Sequence, residues 1–129
     1  MHALIIEDEP YIALVIEDHL RGHGFASFDF ATSETDAVLA AGRRPPDLIT
    51  SDVRLAPGCG IAAVAEICRE RPVPVVFITA SVGEVRARTR DAVAIAKPFA
   101  AADLELALSE AGIAAAPPLA AGPSDGLQS

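Results

Sequence analysis

The sequence predicts an open α/β fold, doubly wound, with a five-stranded parallel sheet carrying helices on both faces. Three observations point there. Short apolar runs alternate with longer stretches whose apolar residues recur at three-to-four spacing, as βαβ units require. Several of the runs are continuous rather than alternating, the pattern of strands buried on both faces. Glycine and proline clusters separate the segments.

The elements follow in order. Ala3-Leu4-Ile5-Ile6 is a first strand that stops at Glu7-Asp8-Glu9-Pro10. From Tyr11 to Arg21, Ile12, Val15, Ile16 and Leu20 share a helical stripe, and Gly22 and Gly24 end it. Phe25 to Phe30 is aromatic and partly alternating, an edge strand. Ser33-Glu34-Thr35-Asp36 resembles a capping box and opens a helix through Ala41, with Gly42 and Pro45-Pro46 as its stop. Leu48 to Asp52 is a third strand, followed by a Pro57-Gly58 loop and a helix from Ile61 to Arg71 that turns Val64, Ile67 and Cys68 inward. Val75 to Thr79 is the most β-prone run of all. Glu84 to Asp91 reads as a short charged helix, Val93 to Ala96 as a fifth strand, and Asp103 to Ala111 as a last helix striped by Leu104, Leu108 and Ala111. The expected domain is 1–112, and 113–129, rich in Ala, Pro and Gly, reads as a flexible tail.

Composition narrows the function. A chain of 129 residues is sized for one domain. Its net charge of −8 argues against binding a nucleic-acid backbone, which needs clustered cations. No apolar run reaches the ~20 residues of a membrane-spanning helix, and the first ten residues lack the basic start of a secretory signal. A cytoplasmic protein with no membrane or nucleic-acid partner is expected. Cys59 and Cys68 fit neither a disulfide framework nor a zinc site and read as free thiols.

The chemistry is positional. Asp8, Asp52, Thr79 and Lys97 each fall at or just past the carboxyl end of a different expected strand. In an open parallel sheet those ends share one edge, where ligands bind at the point of strand-order reversal. Lys97 is the one lysine beside nine arginines, which suggests a compact ammonium reaching a single anion. Glu7, Asp8 and Asp52 would repel one another there unless a cation intervened, and Mg²⁺ suits oxygen ligands supplied by a few carboxylates and a phosphate. Asp52 is the candidate nucleophile, since carboxylates form acyl phosphates.

These residues resemble the receiver domains of two-component response regulators over about residues 1–112. The resemblance rests on Glu7-Asp8, Asp52 with Gly60 eight residues later, Thr79, and Lys97-Pro98-Phe99. It implies a flavodoxin-like sheet of order 2-1-3-4-5. It also implies that Asp52 accepts a phosphoryl group from a sensor histidine kinase, and that Mg²⁺ is held by Asp8, Asp52 and the backbone carbonyl of Arg54, with Glu7 acting through water. Thr79 would bond the phosphoryl group, Lys97 would pair with its oxygens, and Lys97-Pro98 would be cis. Such a protein signals by protein contact or relays phosphate to a histidine phosphotransferase. Its only chemistry is its own phosphorylation and dephosphorylation. The sequence leaves a homodimer open.

Departures from the receiver pattern bear on signal output. Ala94 stands three residues before Lys97, where similar receivers carry an aromatic switch residue. Thr79 and Lys97 are 18 positions apart, so the fourth helix should be short. Arg86, Arg88 and Arg90 in that segment read either as a solvated face or as a docking surface for an acidic partner. The IEDEPYIAL start, the VVFITA strand, the shortened helix and Ala94 together look most similar to alphaproteobacterial receivers of the general-stress-response type. Those relatives carry a sigma-factor-like domain, which is not expected here. A haloacid-dehalogenase-type phosphatase needs a second acid where Arg54 stands. A flavin binder would find its phosphate repelled by Glu7-Asp8-Glu9. The remaining alternative is a receiver-fold binding module with weak or no phosphorylation-dependent switching.

Overall fold

The computed structural model describes residues 1–114. Its elements are β1 (His2–Ile6), α1 (Pro10–Gly22), β2 (Ser27–Ala31), α2 (Glu34–Arg43), β3 (Leu48–Ser51), β4 (Arg54–Leu55), β5 (Gly58–Cys59), α3 (Gly60–Glu70), β6 (Val75–Thr79), α4 (Val82–Arg88), β7 (Val93–Ala96) and α5 (Ala101–Glu110). The main sheet has five parallel strands in the order β2-β1-β3-β6-β7. Counting its strands along the chain, that is the expected 2-1-3-4-5. The expected tail lies outside the described residues except for its first two, of which Ile113 donates its N–H to Leu108 O at 2.9 Å and packs against the core.

Strand alternation divides the core in two. Leu4, Ile6, Ile49 and Phe77 face α2, α3 and Val85 of α4. Ala3, Ile5, Leu48, Val76 and Ile78 face α1 and α5 through Ala13, Ile16, Leu20, Leu104 and Leu108. Each fully buried Leu or Ile side chain contributes roughly 1.5–3 kcal/mol over leaving it exposed, so both layers hold the sheet firmly from behind its edge.

Local chemistry sets the helix ends. Pro10 occupies the first turn of α1, where its missing N–H is harmless, and Gly24 beyond the helix takes a positive φ of 107°. Ser33 Oγ accepts from Asp36 N at 3.1 Å and caps α2. Gly42 does not stop that helix, which continues to Arg43. A helical glycine costs only about 1 kcal/mol relative to alanine, whereas Pro45-Pro46 removes donors outright.

Two other expectations are corrected. The loop after β3 contains a small antiparallel hairpin, with Arg54 opposite Cys59 and Leu55 opposite Gly58. Two-residue strands leave no periodicity to read. Helix α4 spans Val82–Arg88 rather than Glu84 to Asp91: the Ser81 carbonyl accepts from Glu84 N at 3.0 Å and starts it, and Val85 alone of its residues is buried. The expected shortening of α4 is present, at seven residues. Cys59 and Cys68 are free thiols. No described helix is long and apolar enough to cross a membrane.

Candidate functional site

Strand order reverses between β1 and β3, and the site lies at their carboxyl ends. Asp52 N donates to Ile6 O at 3.0 Å, which seats the residue after β3 beside the residue after β1. On the far side, Lys97 N donates to Thr79 O at 3.0 Å, bringing the ends of β6 and β7 together. Main-chain pairing thus gathers residues that are far apart in sequence.

The side chains converge accordingly. Ligand oxygens of Glu7, Asp8 and Asp52 all lie within 4.8 Å of one another. Lys97 Nζ donates to Asp52 Oδ2 at 2.8 Å and lies 2.9 Å from Glu7 Oε1, with Glu9 Oε1 farther off at 3.9 Å. Asp52 is further oriented by Val53 N, which donates to its Oδ1 at 2.6 Å. The peptide Lys97-Pro98 is cis, as expected, and Ala56-Pro57 is cis as well.

Burial makes the charges interact strongly. The Glu7 side chain is 1% exposed, whereas those of Asp52 and Lys97 are 13% and 14% exposed. Burial raises the Glu7 pKa and outweighs the opposing help from Lys97 and from the Glu9 N–H. For Lys97, burial disfavours the ammonium, but its hydrogen bond to Asp52 and its close pairing with the Glu7 carboxylate win and the pKa rises. One ammonium faces three carboxylates, and Glu7 Oε1 is close to it without a well-aligned hydrogen bond. An all-oxygen donor set with uncompensated negative charge suits a hard divalent cation that keeps some of its waters. The residues present therefore fit such a group.

Gly60 shows why a glycine follows Asp52 at that distance. A Cβ there would come within 1.7 Å of Asp52 O, while Gly60 N donates to Val53 O at 2.7 Å. Helix α3 begins in contact with the backbone of Asp52, and any side chain would push the two apart.

The other expected site residues are Thr79 and Arg54, the latter through its backbone carbonyl. Thr79 is at the edge and buried, but its hydroxyl accepts from Ser81 N at 3.0 Å, at the start of α4. The Arg54 guanidinium is exposed and lies 3.9 Å from Glu84 Oε1. Sequence reasoning missed Glu84 and the Val53 N–H. Glu84 and Arg88 stand at i,i+4 spacing on one helix face, a legible signal, but the pairing with Arg54 is not local.

The comparisons agree with this fold. Residues 3–109 match the response regulator receiver domain family. The chain is 40% identical over 115 residues to the phyllosphere-induced regulator PhyR of Methylorubrum extorquens, a match covering 84% of this chain and 42% of PhyR. It is 39% identical over 114 residues to the transcriptional regulatory protein PdtaR of Mycobacterium tuberculosis, covering 82% of this chain and 56% of PdtaR. The chain thus spans about half the length of these curated relatives. Among solved structures, the receiver domain of Erythrobacter litoralis PhyR superposes with a TM-score of 0.77 at 34% identity, covering 91% of this chain and 93% of that one. PhyR of Bartonella quintana, an anti-anti-sigma factor, gives 0.75 at 33% identity and covers 85% of this chain and 46% of that one. The likeness to stress-response receivers expected from the sequence is met in these PhyR matches. The chain belongs to the response regulator receiver family of two-component signalling.

Proposed function

We propose that the domain takes a phosphoryl group onto Asp52 from the phosphohistidine of a sensor histidine kinase and passes the signal on by protein contact or by phosphorelay. The observation that carries this is the convergence of Glu7, Asp8 and Asp52 within 4.8 Å around a site where Lys97 Nζ holds Asp52 at 2.8 Å. An Asp52 carboxylate oxygen attacks phosphorus, the phosphorus–nitrogen bond breaks, and the imidazole leaves with the bonding electrons. The product is an acyl phosphate. Glu7, Asp8, Asp52 and the Arg54 carbonyl are the groups that would hold Mg²⁺, which when bound supplies charge stabilisation for the transferring oxygens. Lys97 holds Asp52 in place beforehand and offers positive charge to the phosphoryl oxygens during transfer. Thr79 exchanges its bond from Ser81 N for one donated to the phosphoryl group.

Its partners on this reading are a histidine kinase and either a histidine phosphotransferase or another protein target. The PhyR likeness adds an anti-sigma factor as a target to test. Intact-mass measurement after incubation with Mg²⁺ and a small phosphodonor checks the chemistry. Wild type should gain one phosphate, Asp52→Asn none, and chelation of Mg²⁺ should suppress the gain. An unmodified wild type would sink the proposal and favour the module that switches without phosphorylation, the reading motivated by Ala94.

A further inference from the structure

A ring of contacts joins the hairpin beside Asp52 to α4. Arg54 of β4 lies opposite Cys59 of β5 in the ladder. Cys59 Sγ accepts from Arg88 Nη1 at 3.4 Å, Arg88 Nη1 is 3.6 Å from Glu84 Oε2, and Glu84 Oε1 is 3.9 Å from Arg54 Nη2. Glu84 is therefore shared between two guanidinium groups, one on its own helix and one two residues beyond the candidate phospho-acceptor. Neither ion pair closes to hydrogen-bond distance, and the Arg54 side chain is 82% exposed. Such pairs are weak and easily exchanged.

A second tether joins the same helix to the same site. Ser81, the residue before the first turn of α4, donates its N–H to the Thr79 hydroxyl. Half-buried Ala94 on β7 presents only a methyl group where a ring could otherwise couple the site to its surface. What remains is charge. A phosphoryl group on Asp52 adds negative charge and strong acceptor oxygens, and a guanidinium pairs with phosphate through two parallel N–H bonds.

From this geometry we infer that Glu84 is a positioning residue that regulates the site: it holds Arg54 before phosphorylation, and Arg54 passes to the phosphoryl group afterwards, releasing α4. The inference rests on Asp52 being the phospho-acceptor. Glu84 keeps Arg88 after the exchange, so the helix stays intact and keeps its contact from Arg88 to Cys59, while its charged tie to Arg54 on the other hairpin strand breaks. The signal at α4 is thus a swapped ion pair rather than a turned ring.

The test is amide NMR of the full chain with Mg²⁺, with and without saturating beryllofluoride as phosphoryl mimic. In wild type the amides of Asp52 and Val53 should shift on loading, and those of α4 should shift with them. In Glu84→Gln the α4 amides should already lie near their loaded positions without the anion and move little when it binds. With the anion bound, Arg54→Gln should lose the α4 response and Arg54→Lys should restore it. An α4 response in Glu84→Gln that matches wild type would overturn the inference. A wild type whose Asp52 and Val53 amides ignore the anion would instead fail the phospho-acceptor reading itself, and the latch with it.

Discussion

Lys97 meets Asp52 and Glu7 at 2.8 and 2.9 Å among side chains that are nearly sealed from water. Around the rim, Arg54, Glu84 and Arg88 meet at 3.6 to 3.9 Å with side chains open to solvent. Both sets pair arginine or lysine with carboxylates, yet they are built for different purposes. The inner set is short, buried and anchored by main-chain bonds from four strands, so it can hold reacting atoms still. The outer set is long and screened, so its partners can change at little cost. On the proposed function, a site that does chemistry and a surface that reports it need these opposite properties.

The contrast can be broken most sharply at the inner set. Asp52→Asn should abolish phosphate uptake, read as loss of the added mass, while leaving the fold's melting behaviour close to wild type. Gly60→Ala should come next. The added methyl meets the Asp52 carbonyl, and overpacking of this kind costs about 1–3 kcal/mol, here toward or beyond the upper end because backbone rather than a side-chain tip is in the way. Urea unfolding measures it, and an unchanged midpoint would mean that α3 does not seat as described.

Lys97→Met strands Glu7 among carboxylates without its cation. Breaking a buried pair costs about 3–5 kcal/mol, and partial exposure of Lys97 argues for the lower end or below. Because the acids are then less compensated, Mg²⁺ should restore more stability to this variant than it adds to wild type, a comparison that unfolding with and without chelator provides. The smallest effect belongs to the outer set. Glu84→Gln should alter unfolding stability by no more than about 0.5 kcal/mol, as expected for exposed pairs, even though on the inference above it governs the α4 response. A loss of several times that size would show that the rim holds the fold together, and the distinction drawn above would fail.

The inner set was legible in the sequence for a physical reason. Buried parallel strands need uninterrupted apolar runs, so a polar residue that ends such a run, as Asp8, Asp52 and Lys97 do, marks the sheet's carboxyl edge. The outer set was not, because solvent-facing charges carry no periodicity tying Arg54 to Glu84. The same holds for the buried His2 imidazole, whose ring nitrogens lie 2.9 Å from Ser27 Oγ and 3.0 Å from Asp29 Oδ2 across β1 and β2. Only the register of two strands brings those groups together. The five strands of the main sheet were readable to within a residue or two, whereas α4 shifted by two residues at its start because a helix with one inward side chain has almost no stripe to read.

The seating of Gly60 against Asp52 has a mechanical meaning. With no side chain to act as a spacer, the first turn of α3 sits directly on the backbone of the loop that carries Asp52, so displacing either presses on the other. A partner that tilts that helix would therefore move the candidate acceptor aspartate through backbone contact, as a push on a lever's handle moves its tip.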